Sequence, residues 1–392
     1  MEKAPRGDLM TAAASTLPIL VVLVSVLPVI LTAAHELGLG PAQVTSWIIA
    51  LYGVPGVISM VLALRYRQPL LLTGNLGTIV LIASLSQSVG YAEIVAGTIL
   101  AGIAYAVLTL LGLPRRLAAI IPGPIVAGIL AGVSLPFVIG LFDALGRAPL
   151  VIAATIATYA LARSAVGSSG IAVLPAFGVG IGVAALHGDI APLRLQAAFP
   201  QPTLTLPHPT LTGALTVMPV VVVFLVLANV PSSIYLRERG FELPERMLGL
   251  ATGVGTVLAS FLGPTGICMP FMFVPFTSGE AAGPRAKRYR TAVIASVYLL
   301  AIAGLAGAAV AIVVLLPTAL LNGLAGRALL GVLSGSVRDI ATGPLRLSPV
   351  VAFAVASSRL SLLGLGPLFW AVALGTATAY LLERPQLAAD PE

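Results

Sequence analysis

The chain has 392 residues, of which 58% are hydrophobic and only 9% charged, and its mean hydropathy is +1.05. Soluble domains carry roughly 25% charged residues and about 45–50% apolar ones, so a soluble fold is excluded and the length is better counted in bilayer spans of about 20 residues. The net charge of +7 does not indicate nucleic-acid binding, because the basic residues sit in short loops between apolar runs, where they orient a membrane protein.

The N-terminal stretch Met1 to Leu9 is of mixed charge and lacks the basic region, short apolar core and cleavage site of a removable signal. The first apolar run is therefore expected to be a retained span. In chain order the spans predicted are 14–34, 43–64, 69–85, 91–112, 117–141, 149–163 and 169–187, then 213–236, 246–262, 266–279, 290–315, 317–336, 347–359 and 362–382. Those at 69–85, 149–163, 266–279 and 347–359 are short or broken by Gly and Pro, and merging them returns 10 to 12. With both termini cytoplasmic, 17 of the 21 Lys and Arg residues fall on the cytoplasmic side. Only Arg147, Arg194 and Arg359 fall on the far side, and Arg327 lies inside a span. This asymmetry is the orientation signal of a multi-pass inner-membrane protein.

A weak repeat runs at an offset near 200 residues. Gly53-Val54-Pro55-Gly56 precedes Pro69-Leu70-Leu71-Leu72-Thr73-Gly74, and Gly253-Val254-Gly255 precedes Gly263-Pro264-Thr265-Gly266. Gly128-Ile129-Leu130-Ala131-Gly132 is echoed by Gly331-Val332-Leu333-Ser334-Gly335. The fold class expected is an all-α polytopic membrane protein of about 14 segments. It divides into a first repeat, 1–188, a loop, 189–212, a second repeat, 213–384, and a tail, 385–392. An odd number of spans per half inverts the second half relative to the first, a recurring transporter plan.

Matching Gly/Pro-broken segments in two halves point to a binding site. Each reads as an extended stretch turning into a half-helix, near Leu76 after the N-cap Asn75 and near Pro270. Two helix N-termini meeting at mid-membrane bring free N–H donors and partial positive charge to one point, which suits an anion. The substrate-binding candidates are Asn75, Leu76, Gly77 and Thr78 in the first break, with Ile267, Cys268, Met269 and Phe271 in the second. Asn229 and Ser232, within Leu227-Ala228-Asn229-Val230-Pro231-Ser232, are read equally as cavity residues or as glue between helices. Ser25, ahead of Pro28, is a further candidate of the same kind. None of the 14 acidic residues falls mid-span. Glu93 is the least solvated candidate for carrying a proton, against its reading as an interfacial carboxylate. The single Cys268 and the scattered His35, His187 and His208 offer no metal cluster, and no cofactor is expected. No acidic or His cluster for membrane-enzyme chemistry is present in the sequence, so a transporter is favoured over an enzyme, with a channel as the rival within transport.

Four stretches resemble the benzoate:proton symporter (BenE) family. They are Pro41-Ala42-Gln43-Val44-Thr45-Ser46-Trp47 through Arg65-Tyr66-Arg67-Gln68-Pro69; Asn229-Val230-Pro231 with Leu236-Arg237; Gly266-Ile267 with Lys287-Arg288-Tyr289; and Ser361-Leu362-Leu363-Gly364-Leu365-Gly366-Pro367-Leu368-Phe369-Trp370. That family is similar in turn to uracil and sulfate permeases. The resemblance implies a seven-plus-seven inverted repeat, with a core domain near 14–112 and 213–315 and a gate domain near 117–187 and 317–384. It further implies elevator-like movement of the core, a small anionic substrate, protons as the coupling ion, and a homodimer through the gate. The chain departs from the family at Gly74-Asn75-Leu76-Gly77-Thr78, at Cys268 and at Ala228-Asn229-Val230-Pro231-Ser232. These departures cluster at the expected site, leaving the substrate open between a benzoate-like acid, another carboxylate, an inorganic anion and a nucleobase.

Overall fold

The computed structural model describes residues 5–85, 89–116, 122–166, 173–187, 201–313, 318–358, 360, 362 and 367–385. Each of the predicted apolar stretches holds a helix or a short strand leading into one. Among the described residues, five helices are long and apolar enough to cross a bilayer by length and composition. The rest are shorter because Pro, Gly and extended breaks interrupt them.

The first half begins with α1 (Pro5–Glu36). Next, α2 (Pro41–Ile48) and α3 (Val54–Tyr66) form one rod through a π turn at Ile49–Gly53. Pro55 has no N–H to offer the carbonyl one turn back, and the wider turn sits directly ahead of it. The chain then extends through β1 (Thr73–Gly74) into α4 (Leu76–Ser84), followed by α5 (Tyr91–Leu110). Three further helices are α6 (Gly123–Arg147), α7 (Pro149–Val166) and α8 (Val173–Leu186).

The second half repeats the plan. It runs from α9 (Leu211–Glu238) and α10 (Glu245–Ser260) through β2 (Ile267–Cys268) and a 3₁₀ turn (Phe271–Phe273) into α11 (Val274–Ser278). Next come α12 (Tyr289–Gly304), α13 (Ala306–Val313), α14 (Thr318–Thr342), α15 (Leu347–Ala356) and α16 (Pro367–Leu382). The expected span 290–315 is thus split at Leu305.

The packing exchanges equivalent partners between the halves. Helix α10 lies on α5 as α3 lies on α12, and α9 lies on α5 as α1 lies on α12. At the α5/α10 crossing, a Cβ on Gly102 would fall 2.7 Å from the Gly253 carbonyl and a Cβ on Gly253 would fall 2.7 Å from the Gly102 carbonyl. Only glycine at both positions lets these backbones touch. A second packing group is built on α6, which contacts α14 and α15, with α15 on α16 and α7 on α8. Here the expected echo between Gly128 and Gly331 is not matched. A Cβ on Gly128 would strike the Pro349 carbonyl, whereas Gly331 and Gly335 have nothing within 4 Å. Contacts of α1 with α14, α4 with α6 and α9 with α16 join the two groups.

Candidate functional site

The two breaks pair with each other. Strands β1 and β2 run antiparallel, Thr73 opposite Cys268 and Gly74 opposite Ile267. The Asn75 amide adds a bond to the Gly266 carbonyl at 2.8 Å. Backbone polar groups left open by interrupting a helix at membrane depth must find partners inside the protein, and here each break supplies the other. A Cβ on Gly74 would fall 2.5 Å from Leu51 Cδ2, so this strand tolerates no side chain.

Hydroxyls on the preceding helices hold both strands in the same manner. Ser59 on α3 accepts from the Leu72 amide at 2.7 Å and donates to its carbonyl at 3.0 Å. Thr256 on α10 accepts from the Ile267 amide at 3.0 Å. The Trp47 indole N–H donates to the Pro264 carbonyl at 2.7 Å, fixing the approach to the second break.

The first half-helix starts where expected. Asn75 is its N-cap, with Oδ1 accepting from the Thr78 amide at 3.1 Å. Its Nδ2 reaches across to Cys268 Sγ at 3.2 Å, joining the two breaks side chain to side chain. In the second break Pro270 sits at the N-cap position, one residue ahead of the first turn expected for it, and that turn is 3₁₀. With Thr78 capped, the amides of Leu76 and Gly77 have no acceptor among the described residues, and neither do those of Phe271 and Met272.

These amides open on one cavity of about 290 Å³. Asn75, Leu76, Gly77 and Cys268 line it, together with Pro270 through Phe273. Its other walls are apolar: Val22, Leu23, Val26 and Ile30 from α1, Leu51 and Tyr52, and Ala228 from α9. Leu130 of α6 and Val332 of α14 close it from the second packing group. Among the described residues, no Asp, Glu, Lys, Arg or His lines it.

The predicted residues divide into lining and supporting sets. Asn75, Leu76, Gly77, Cys268 and Phe271 line the cavity, Phe271 standing edge-on to Tyr235 at 5.4 Å. Thr78, Ile267 and Met269 are buried behind it. Asn229 and Ser232 do not line this cavity either. Asn229 Oδ1 accepts from the Met269 amide at 3.0 Å and its Nδ2 donates to the Leu225 carbonyl at 2.8 Å. The Ser232 hydroxyl donates to the Met269 and Ala228 carbonyls, each at 2.7 Å. Through these bonds both side chains position the second break, and Asn229 also lines a second cavity. The Ser25 side chain and Arg359 lie outside the described residues. Glu93 lies away from the cavity and caps the start of α5, where its Oε2 accepts from the Gly90 amide at 3.0 Å. Arg327 stacks on the Tyr159 ring of α7, its Cζ 3.2 Å from the centroid. Among the described residues, no three His, Cys, Asp or Glu side chains gather into a metal site.

Sequence reasoning missed the α1 wall, although Val22, Val26 and Ile30 fall at helical spacing on one face. It also missed Glu383, just beyond α16 and only 4% exposed. Its carboxylate accepts from the amides of Arg346, Leu347 and Ser348 at 2.5, 2.6 and 2.8 Å, capping α15.

A polytopic helical chain with two crossed breaks beside an apolar-walled cavity is a membrane transport protein. The chain belongs to the benzoate membrane transport protein family, which it matches over residues 8–381. It is 25% identical over 357 residues to the benzoate membrane transport protein of Acinetobacter baylyi, covering 90% of each chain. It is 28% identical over 369 residues to the inner membrane protein YdcO of Escherichia coli, covering 93% of this chain and 94% of that one. Its fold resembles the transmembrane domain of the cyanobacterial bicarbonate transporter BicA, with a TM-score of 0.57 at 18% identity over 99% of this chain and 98% of that one. It also resembles the murine anion transporter Slc26a9 in its inward-facing state, with a TM-score of 0.55 at 14% identity over 92% of this chain and 69% of that one.

Proposed function

We propose that this protein is a secondary active transporter of a small organic anion, an aromatic carboxylate of the benzoate type. The observation that carries this reading is the convergence of unpaired amides from both breaks, Leu76 and Gly77 with Phe271 and Met272, on one apolar-walled cavity. The carboxylate docks on these donors and the partial positive charge of the half-helix starts. The ring lies against Val22, Val26, Ile30 and Phe271. At about 290 Å³ the cavity is at the lower end of ligand pockets, roughly 300–1,000 Å³, which favours a single-ring acid. Its hydrocarbon walls disfavour a strongly hydrated inorganic ion.

The chain works as 14 segments in two inverted repeats, in the bacterial inner membrane with both termini cytoplasmic. The first packing group, carrying both breaks, is the moving core. The group built on α6, α14, α15 and α16 is the gate, and also the surface for a homodimer. Leu130 and Val332 mark where the core slides past the gate and presents the cavity to the other side. Protons are the coupling ion, a reading that rests on the family resemblance and not on Glu93.

Counterflow in proteoliposomes tests the proposal. Vesicles preloaded with unlabelled benzoate should accumulate labelled benzoate transiently above equilibrium, with neither uracil nor bicarbonate substituting as the internal solute. Uptake that ignores preloading would replace the carrier with a pore.

A further inference from the structure

A second cavity, of about 350 Å³, lies between the end of α5, the middle of α9 and the start of α10. The transport step proposed above does not use it. It shares no lining residue with the first cavity, yet the two are neighbours: Ala228 lines one and Asn229 the other. The dividing wall is α9 together with Met269, whose amide Asn229 holds.

The character of this cavity differs from the first. Arg115, Glu245 and Arg246 line its mouth. Glu245 Oε1 is shared by Arg115 at 2.6 Å and Arg237 at 2.5 Å. Two guanidiniums therefore share one carboxylate, and Arg246, on the same lining, has no hydrogen bond or ion pair among the described residues. At the floor Tyr105 is 2% exposed and lies beside Asn229, itself 4% exposed. The Ser233 hydroxyl there makes no hydrogen bond among the described residues. Leu110, Val230 and Leu248 supply flat apolar sides.

We propose that this cavity is a second binding site for a small organic anion. Its acid group is held by Arg246 and Arg115 at the mouth, and its body reaches Ser233 and Asn229 at the floor. Occupancy bears on the transport site through a short path. A ligand touching Asn229 acts on the residue that fixes Met269, and Met269 adjoins Cys268 in the first cavity. Coupling between two such sites is reciprocal in binding free energy. The choice of benzoate as probe rests on the proposed function; the existence of the site does not.

The test uses the full chain in detergent without added lipid. Native Cys268 is fully buried, so Ser233→Cys supplies the reactive thiol, with the unsubstituted chain as background. Its reaction with an anionic reagent, 2-sulfonatoethyl methanethiosulfonate, is compared with that of a cationic trimethylammonium analogue, each normalised to free cysteine. The anionic reagent should be favoured on the order of tenfold. Arg246→Ala should abolish that preference and Arg246→Lys should keep it. Millimolar benzoate should protect the thiol, and should still do so when Asn75→Asp has disabled the transport cavity. Thr109→Cys, from the same lining, replaces Ser233→Cys should that variant fail to fold. Equal normalised rates, absence of benzoate protection, or protection lost with Asn75→Asp would each overturn the proposal. Protection that survives when benzoate counterflow is absent would keep this site and remove only the transport reading.

Discussion

Replacing Asn75 with Asp separates an anion site from a mere helix break. Asp and Asn are about equally good N-caps, so the bond to the Thr78 amide, 3.1 Å in the native chain, is kept. The helix start should therefore keep its stability. A carboxylate is nevertheless placed among the donors proposed to receive the substrate. Two like charges about 5 Å apart at an effective dielectric of about 20 repel by about 3 kcal/mol, on the order of 100-fold in affinity. Asn75→Ser is the control, since it caps without charge and equally loses the 3.2 Å contact of Nδ2 with Cys268 Sγ. Equilibrium binding of labelled benzoate, alongside thermal unfolding in detergent, gives both quantities. Asn75→Asp should unfold near the native temperature with benzoate binding nearly abolished, and Asn75→Ser should stay within a few-fold of native. Lowering the pH should restore part of the binding to Asn75→Asp as the introduced carboxyl takes up a proton. Equal losses for the two variants, or unchanged binding by Asn75→Asp, would refute docking of an anion at these amides.

Three further substitutions test the supports. Asn229→Ala leaves the Met269 amide buried without its acceptor, at a cost of roughly 1–3 kcal/mol. Thermal stability and benzoate affinity should fall together, whereas a fall in affinity alone would make Asn229 a direct contact. Gly266→Ala brings a Cβ to 2.9 Å from Thr78 Oγ1 and 3.1 Å from Leu225 Cδ2, an overpacking worth about 1–3 kcal/mol. Its melting temperature should drop, while Gly178→Ala, with open space around it inside a helix, should melt no lower than the native protein. Burial opposes the charge of Glu383, but hydrogen bonds from Ser348, Leu347 and Arg346 outweigh it and hold its carboxyl below the usual glutamate range. A group whose pKa is depressed on folding stabilises the protein above its unfolded value, about 4.3 for Glu, and that contribution is lost as pH falls through the folded value. Glu383→Ala should therefore unfold earlier at neutral pH, and the gap to native should close in acid. A gap independent of pH would leave the charge without a role.

The breaks were legible because Gly and Pro interrupt otherwise apolar runs at matching places, and Asn75 carries its capping signal in its own side chain. The role of Asn229 was not settled by local sequence. Cavity residue and helix glue demand the same residue type, and the partner that reveals the supporting role, the Met269 amide, lies 40 residues away. The pairing of Ser59 and Thr256 with the two strands was hidden for another reason. A hydroxyl on an apolar helix usually bonds its own backbone one turn back, as Ser296 does to Ala292 at 2.7 Å, and its spacing does not distinguish the exceptions. Glu383 reads as an ordinary charge after a span, and only the approach of α15 and α16 reveals it as a cap. The short helices confused the span count because hydropathy measures length, while interior pairing lets a strand and a half-helix replace a full rod.

In the proposed carrier, the absence of a cation from the described lining of the cavity follows from what a carrier must do when empty. An arginine or lysine there would bind an anion more tightly than amides do. Once the anion left, however, it would remain a buried charge without a partner, costing several kcal/mol. An amide-lined half-helix start presents positive potential only as partial charges, so the empty core stays neutral and can return across the membrane. Leu76→Lys puts this to measurement, since Leu76 lines the cavity at the first position of α4. Benzoate should bind at least as tightly as in the native protein. Exchange of labelled for unlabelled benzoate, which never requires an empty return, should persist. Net uptake into empty vesicles should fall at least about tenfold relative to exchange, the effect of only about 1.4 kcal/mol on the return step. A variant in which uptake and exchange decline in equal proportion would show that charge in the cavity does not govern the empty carrier's movement.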